Sequence, residues 1–168
     1  MLLAGGLLRA FYLREIASRP EFSQPTVDAA YHDYWAGGIA RGDWRVPRDE
    51  ADPQIRARPF FRPPGYAYWL ALVYRAFGRG PLPPRLLQMA AGLLAAILAY
   101  RFARGPFGPG AAVAYAALMA VYWIFIYYEG ELSITTLEVA VGLATLIFIH
   151  RAVDLRTRSS LIASGLML

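Results

Sequence analysis

Three long apolar runs, each close to the length of a membrane-spanning helix, organise the second half of the chain. They cover residues 86–100, 110–128 and 132–149; the first contains one polar residue, Gln88, and the third contains one charge, Glu138. A helix crosses ~30 Å of hydrocarbon with about 20 residues. The pattern therefore predicts an all-α, polytopic membrane helical bundle with spanning helices over residues 85–102, 110–128 and 132–150.

Two shorter apolar runs lie at the ends of the chain, over residues 1–8 and 159–168. The first stops at Arg9, and both are too short to cross a bilayer. We predict a partial spanning helix at each position. The chain is therefore interpreted as a single membrane domain that is a fragment of a longer protein.

Two further segments have the character of helices that lie along the membrane surface. Residues 26–41 place apolar and aromatic side chains at helical spacing, with Thr26 as the predicted cap and Gly42 as the end: Val27, Tyr31, Tyr34, Trp35 and Ile39. Residues 66–78 are aromatic, but at 1.5 Å per residue they span only about 20 Å. Both are predicted as amphipathic interfacial helices, with loops over residues 20–25 and 45–64.

Composition supports a membrane protein. Apolar types make up 57% of the 168 residues and charged types 17%, whereas a soluble domain has roughly 45–50% and ~25%. There are no cysteines, which excludes disulfides and thiolate chemistry. The net charge of +5 comes from arginines that flank apolar runs, as in membrane proteins, so a nucleic-acid partner is not predicted.

The distribution of charge predicts the orientation in the membrane. Residues 101–109 and 150–158 are rich in arginine, which places them in the cytoplasm by the positive-inside rule. The connection over residues 128–131 then faces the other side, and so does the long segment over residues 9–65. The prediction is a multi-pass protein of the cytoplasmic (inner) membrane whose active face is external or periplasmic.

The external segment contains an acidic residue in the first turn of a predicted helix. Asp28 lies where the helix N-terminus stabilises a carboxylate, and it is either a base for an acceptor hydroxyl or a capping residue. His32 follows on the same helix face, where it either shares a metal ion with Asp28 or bonds to its own helix. Two ligands are too few to specify a metal, so no metal residues are assigned and a divalent metal stays an open alternative.

Three glutamates accompany the last two predicted spanning helices. Glu129 and Glu131 lie in the short external connection, where they either take part in a site with Asp28 or simply help to set topology. Glu138 follows Glu131 by seven residues, predicted as two turns deeper on one helix face. An acid inside a spanning segment indicates function by default, although pairing with an arginine from another helix, or protonation of the carboxylate, would explain it equally well.

A rigid motif, Arg62-Pro63-Pro64-Gly65-Tyr66, leads into the second interfacial helix. The prolines restrict the backbone and Gly65 permits close approach. Arg62 would then be held at the membrane surface, where a guanidinium suits the phosphate of a lipid-linked substrate. The alternative is an arginine that anchors the chain among headgroups.

The order of these motifs resembles the amino-terminal part of the bacterial family 39-like glycosyltransferases. These are membrane enzymes of the GT-C fold, related to protein O-mannosyltransferases and lipid A aminoarabinose transferases. The resemblance is carried by Asp28, Tyr31, Trp35 and Ala36, then by residues 39–44, 63–66, 77–78, 85–88, 107–108 and 127–132. It covers nearly the whole chain. It differs at Ala29, where many members have a second acid.

The resemblance implies transfer of a sugar, a hexose or a pentose, from a polyprenyl-phosphate carrier to an external protein, lipid or glycan acceptor. It implies Asp28 as the catalytic base and a second catalytic acidic residue after the third spanning helix, which matches Glu129 or Glu131, with Glu131 favoured. The substrate-binding residues implied are Arg62, Tyr31, His32, Trp35, Tyr66 and Glu129. Partners are the donor and membrane lipid. The alternatives are a non-catalytic truncated membrane protein and part of a transporter in which Glu138 lines a polar path.

Overall fold

The computed structural model describes residues 1–45, 63–155 and 166, and it divides the chain into two compact units. Unit 1 comprises Met1–Leu13, Gln88–Gly130 and Thr135–Leu168, and unit 2 comprises Arg14–Leu87 and Glu131–Ile134. Every regular element of the described residues is a helix, which confirms the predicted all-α class. The helices are α1 (Leu2–Ile16), α2 (Pro20–Ser23), α3 (Val27–Ala40), α4 (Gly65–Phe77), α5 (Leu82–Val121), α6 (Trp123–Gly130) and α7 (Thr135–Leu155).

Two helices of the described chain, α5 and α7, are long and apolar enough to cross a membrane. Only 39% and 28% of their most apolar windows are buried within the protein, whereas the core helix of a soluble protein would be mostly buried. Their outward faces carry large apolar side chains such as Leu94, Leu118 and Leu146. Apolar helices that remain this exposed are typical of a membrane protein.

The core of unit 1 is built from small side chains on α5 and α7. Its buried members are Ala95, Ala96, Ala99, Met119, Ala120, Ala140 and Leu143. Small residues let helix backbones approach closely, which is how helices pack where lipid offers no hydrophobic driving force. This core fixes the helices that carry the polar groups of unit 1.

The range α5 comprises two helices that meet at a kink at Gly108, where φ is 80° and ψ is 171°, in agreement with the separate helices predicted before and after residues 101–109. The first of them continues through most of the predicted loop, so the break is confined to Gly108. Gly108 has a positive φ, a conformation that favours glycine. It lies between Pro106 and Pro109, which cannot donate helical backbone hydrogen bonds, and together these residues explain the kink. The predicted span over residues 110–128 is also interrupted, at Tyr122 between α5 and α6.

The ends of several other elements differ from the sequence predictions. Helix α1 does not stop at Arg9 but continues to Ile16. The predicted loop over residues 20–25 contains the short helix α2, which starts at a proline, a residue suited to the first helical turn. Helix α7 begins at Thr135, so Glu131 precedes it and does not share a helix face with Glu138. Nearly all of the predicted segments over residues 45–64 and 159–168 lies outside the described residues.

Unit 2 contains the two helices predicted to be interfacial, and their bounds are close to the prediction. Thr26 is the N-cap residue of α3, in an extended conformation and without a side-chain capping bond. Gly42 follows the end of α3 with φ of 95°, and Gly78 ends α4 with φ of 83°. These left-handed conformations favour glycine and explain where both helices stop.

Candidate functional site

The predicted substrate-binding residues Tyr31, His32, Trp35 and Tyr66 come together in unit 2, where α3 packs against α4. All four are buried, and Tyr66 is only 1% exposed. The His32 ring meets the Tyr66 ring edge-on with centroids 4.9 Å apart, and Tyr31 and Trp35 lie 5.6 Å apart. Helical spacing placed Tyr31 and Trp35 on one stripe, but it did not show that Tyr66 of α4 completes the cluster.

The aromatic cluster continues to the surface of unit 2. Trp69 stacks on Tyr66 with centroids 5.4 Å apart, and Tyr68 lies 6.3 Å from Trp35 and 5.9 Å from Trp44. Trp44 and Tyr68 are exposed, at 61% and 42%. The cluster therefore presents ring faces to the outside, where they can stack against an apolar chain or a sugar ring.

Asp28 lies in the first turn of α3, exposed and one helical turn before His32. The residue before it, Val27, has φ of 51°. This left-handed conformation is strained for a β-branched side chain. Strain of this kind persists where the surrounding structure imposes it, and it is often found beside functional groups.

Glu131 belongs to the same unit as Asp28 and is partly buried in the connection that precedes α7. Burial raises the pKa of the Tyr66 hydroxyl well above its usual range, the negative charge of Glu131 adds to the rise, and the Arg85 guanidinium opposes it. Tyr66, Arg85 and Glu131 thus share one electrostatic environment. This places Glu131 in the neighbourhood of the aromatic cluster.

A hydrogen-bonded group that the sequence did not single out joins α3 to α4. Asp33 accepts a bond of 2.6 Å from the Tyr74 hydroxyl and one of 2.5 Å from the guanidinium of Arg79. Burial, with the Asp33 carboxylate, raises the pKa of the Tyr74 hydroxyl above its usual range. Gly37 makes room for this group, since a Cβ there would lie 3.0 Å from Cζ of Arg79.

The Asp33–Tyr74–Arg79 group opens on a cavity of about 270 Å³ within unit 2. Its lining residues are Phe22, Ser23, Pro25, Asp33, Tyr74, Arg79, Gly80, Pro81 and Leu132. Arg85, itself buried, lies over the Phe22 ring at 4.3 Å and donates a bond of 2.7 Å to the carbonyl of Pro81. The cavity therefore has apolar walls, one lining guanidinium that is paired with Asp33, and the buried Arg85 in contact with two of its lining residues.

Glu129 is placed differently from the other candidates, because it belongs to unit 1. It is 1% exposed, and both of its carboxylate oxygens accept bonds of 2.6 Å from Arg9 of α1. Gln88 donates to its backbone carbonyl at 3.1 Å. These contacts favour a packing role over the predicted substrate-binding role, which stays a prediction. The sequence around Arg9 gives no sign of this contact, because an arginine after an apolar run normally marks a membrane boundary.

The remaining candidates give no contact that supports their predicted roles. Arg62 lies outside the described residues. Glu138 is exposed on α7. Among the side chains that the structure describes, there is no group of three or more histidine, aspartate or glutamate residues that could hold a metal ion.

Residues 61–168 match the model of the dolichyl-phosphate-mannose-protein mannosyltransferase family, which covers well over half of the chain. The chain belongs to this family. The resemblance to membrane glycosyltransferases of the GT-C type is thereby confirmed, together with the expectation of a transferase related to polyprenyl-phosphate-linked sugars. The matched residues include α4 and Glu131 but not α3, which carries Asp28. No curated protein and no solved structure matches the chain.

Proposed function

We propose that the chain takes part in transfer of a hexose or pentose from a polyprenyl-phosphate donor to a hydroxyl acceptor on the external face of the cytoplasmic membrane. Family membership supports a sugar transferase. The observation that carries the proposal is the presence, in unit 2, of an exposed Asp28, a buried aromatic cluster and a cavity lined by Arg79, with Arg85 in contact with its lining residues Phe22 and Pro81. Family membership also favours a transferase over a transporter.

Asp28 is the proposed general base. Its carboxylate takes the proton of the acceptor hydroxyl as the oxygen attacks the anomeric carbon. The bond between that carbon and the phosphate oxygen breaks on the opposite face, and the polyprenyl phosphate leaves with the bonding electrons. The product has the inverted anomeric configuration. Because phosphate is a good leaving group, one carboxylate is sufficient and no strong general acid is needed.

The leaving phosphate needs positive charge beside it as its own charge grows. Arg62 is the residue that the sequence assigns to this role. The structure adds Arg85, which is buried against Phe22, and Arg79, which lines the cavity. Both guanidinium groups are held in place, Arg79 by its ion pair with Asp33 and Arg85 by the Pro81 carbonyl and the Phe22 ring, so their positive charge is fixed in this part of unit 2.

The other proposed site residues position the two substrates. Glu131 orients the acceptor or the sugar through hydroxyl hydrogen bonds. Tyr31, His32, Trp35 and Tyr66 form the floor of the site, and Tyr68 with Trp44 extends it to the surface. Aromatic rings suit both the apolar carrier and the apolar face of a sugar.

The test is a donor-consumption assay with the full chain in vesicles that contain radiolabelled polyprenyl-phosphate mannose. Wild-type protein should release polyprenyl phosphate and transfer label, and Asp28→Asn should lower the rate by about 10²–10⁴-fold, the usual contribution of a general base. Asp43→Asn is the matched control, because Asp43 is exposed and pairs with Arg45. Full activity of Asp28→Asn would remove Asp28 as the base, and an inactive wild-type chain would favour the non-catalytic alternative.

A further inference from the structure

A second cavity, outside the proposed transfer site, lies in unit 1 between α5 and α7. Its volume is about 210 Å³, and its lining residues are Tyr100, Arg101, Arg104, Ile147, His150 and Arg151. Three of the six are arginines. The proposed sugar transfer makes no use of any of them.

The arginines converge because α5 carries two of them on one face and α7 carries the third. Arg101 and Arg104 are three residues apart on α5, and Ile147 and Arg151 are four apart on α7, so both pairs face a single groove. The Arg104 guanidinium lies 6.0 Å from the Tyr100 ring centroid, which helps to hold it over the cavity.

Among the described side chains that line this cavity, three are arginines and none is acidic. Helix α5 contains no acidic residue; on α7, Glu138 precedes Arg151 by thirteen residues, roughly 20 Å along a helix, and Asp154 follows Arg151 by three. Three guanidinium groups against one acid close in sequence leave this end of the two helices with a net positive charge, which suits an anion. Arginine forks match the geometry of phosphate oxygens.

The cavity lies between two helices that are candidates to span the membrane, so the anion that suits it is the phosphate of a membrane lipid. α5 and α7 are the two described helices that are long and apolar enough to cross the bilayer. The arginines are near one end of the apolar stretch of each, within the segments that the charge rule assigns to the cytoplasm. Basic pockets between spanning helices at that level are suited to anionic lipid headgroups.

We propose that the cavity lined by Arg101, Arg104 and Arg151 binds the phosphate of an anionic membrane lipid. Tyr100 and Ile147 supply apolar contacts for the glycerol and the first acyl carbons. The bound lipid ties α5 to α7 at this end of unit 1. This site is independent of sugar transfer, so either proposal can fail without the other.

The test measures retained lipid after the full chain is reconstituted in vesicles of phosphatidylcholine and phosphatidylglycerol, extracted into mild detergent and analysed by native mass spectrometry. Wild type should retain phosphatidylglycerol in preference to phosphatidylcholine. Arg104→Ala/Arg151→Ala should weaken this retention roughly thirty-fold, at about fivefold per arginine. The control Arg14→Ala/Arg75→Ala removes two exposed arginines that do not line the cavity and should retain the lipid as wild type does.

Two further measurements test the role of the guanidinium fork and distinguish a lipid phosphate from a soluble phosphate ion. Arg104→Lys/Arg151→Lys keeps the charge but loses the planar fork, so it should fold and still retain less phosphatidylglycerol than wild type. An excess of inorganic phosphate should displace little of the lipid. Equal retention by wild type and both cavity variants would overturn the proposal, and so would complete displacement by phosphate, which would indicate a site for the soluble ion.

Discussion

Arg9 of α1 holds both carboxylate oxygens of Glu129 of α6 at 2.6 Å, and both side chains are almost completely buried. The same guanidinium also donates to the carbonyls of Gly5 and Ala120, at 3.0 and 2.6 Å. One side chain thus links three helices of unit 1. A buried charge is tolerated when its partners are this complete.

Loss of one partner of this ion pair should destabilise the protein strongly. Glu129→Gln leaves the Arg9 charge buried without its carboxylate, at a cost of about 3–5 kcal/mol. Thermal unfolding in detergent should show a large drop in midpoint, whereas Glu138→Gln, at an exposed position of α7, should change it little. Arg9→Met/Glu129→Leu should recover most of the loss. If Glu129→Gln is as stable as wild type but inactive, Glu129 has the predicted substrate role instead.

Gly92 should be intolerant of even one added methyl group. A Cβ at this position would overlap Oε1 of Glu129, whereas a Cβ at Gly142 of α7 meets nothing within 4 Å. We therefore expect Gly92→Ala to lower the unfolding midpoint and Gly142→Ala to leave it unchanged or raise it, because alanine is the better helix former. Comparable midpoints for the two variants would show that the carboxylate does not occupy this space.

The bond between Tyr74 and Asp33 should contribute to the stability of unit 2 in a pH-dependent way. Tyr74→Phe removes a hydrogen bond to a charged acceptor, worth about 1.5–3 kcal/mol. The pKa of Tyr74 is raised in the folded state above its ordinary value of 10.0. Its contribution is therefore fully present below pH 10 and is lost as the pH rises beyond that, where the unfolded state ionises first.

Unfolding midpoints measured from pH 7 to 11 test this relationship. The wild type should lose stability above pH 10 more steeply than Tyr74→Phe. Tyr34→Phe serves as the control. Tyr34 lies on α3, which packs against the helix of Tyr74, but its side chain is 49% exposed, so loss of its hydroxyl should leave the pH dependence unchanged. Parallel curves for wild type and Tyr74→Phe would contradict the assignment.

The predicted orientation can be tested with single cysteines, because the chain has none of its own. Ser18→Cys lies in the segment expected outside, and Gly105→Cys lies in the arginine-rich segment expected in the cytoplasm. A membrane-impermeant thiol reagent should label Ser18→Cys in intact cells and Gly105→Cys only after permeabilisation. Labelling of Gly105→Cys in intact cells would reverse the topology.

The sequence predicted best the helices whose bounds are determined by residues close together in the chain. The stripe of Tyr31, Trp35 and Ile39 and the stop at Gly42 gave α3 nearly to the residue, and the length of the aromatic run gave α4. The break at Gly108 lies within a loop predicted over residues 101–109, because glycine and proline mark a break between helices without fixing its length.

Partners far apart in sequence were beyond such rules. Arg9 and Glu129 are 120 residues apart, and Asp33 meets Arg79 across 46 residues. An arginine after an apolar run normally marks a membrane boundary, and nothing local to Arg9 indicates that it is buried. Only part of the aromatic cluster could be predicted. Helical spacing places Tyr31 and Trp35 on one face of α3, but it does not show that Tyr66 of α4 packs against that face.

Removal of the acceptor proton by Asp28 can be separated from sugar transfer itself by replacing the acceptor with azide. Azide attacks an anomeric carbon without losing a proton, so it needs no base. In vesicles that contain polyprenyl-phosphate mannose, Asp28→Ala should be inactive toward the acceptor, and azide should restore donor consumption and yield the glycosyl azide of inverted configuration. Undiminished transfer to the acceptor by Asp28→Ala, or no rescue by azide in a folded variant, would contradict the account.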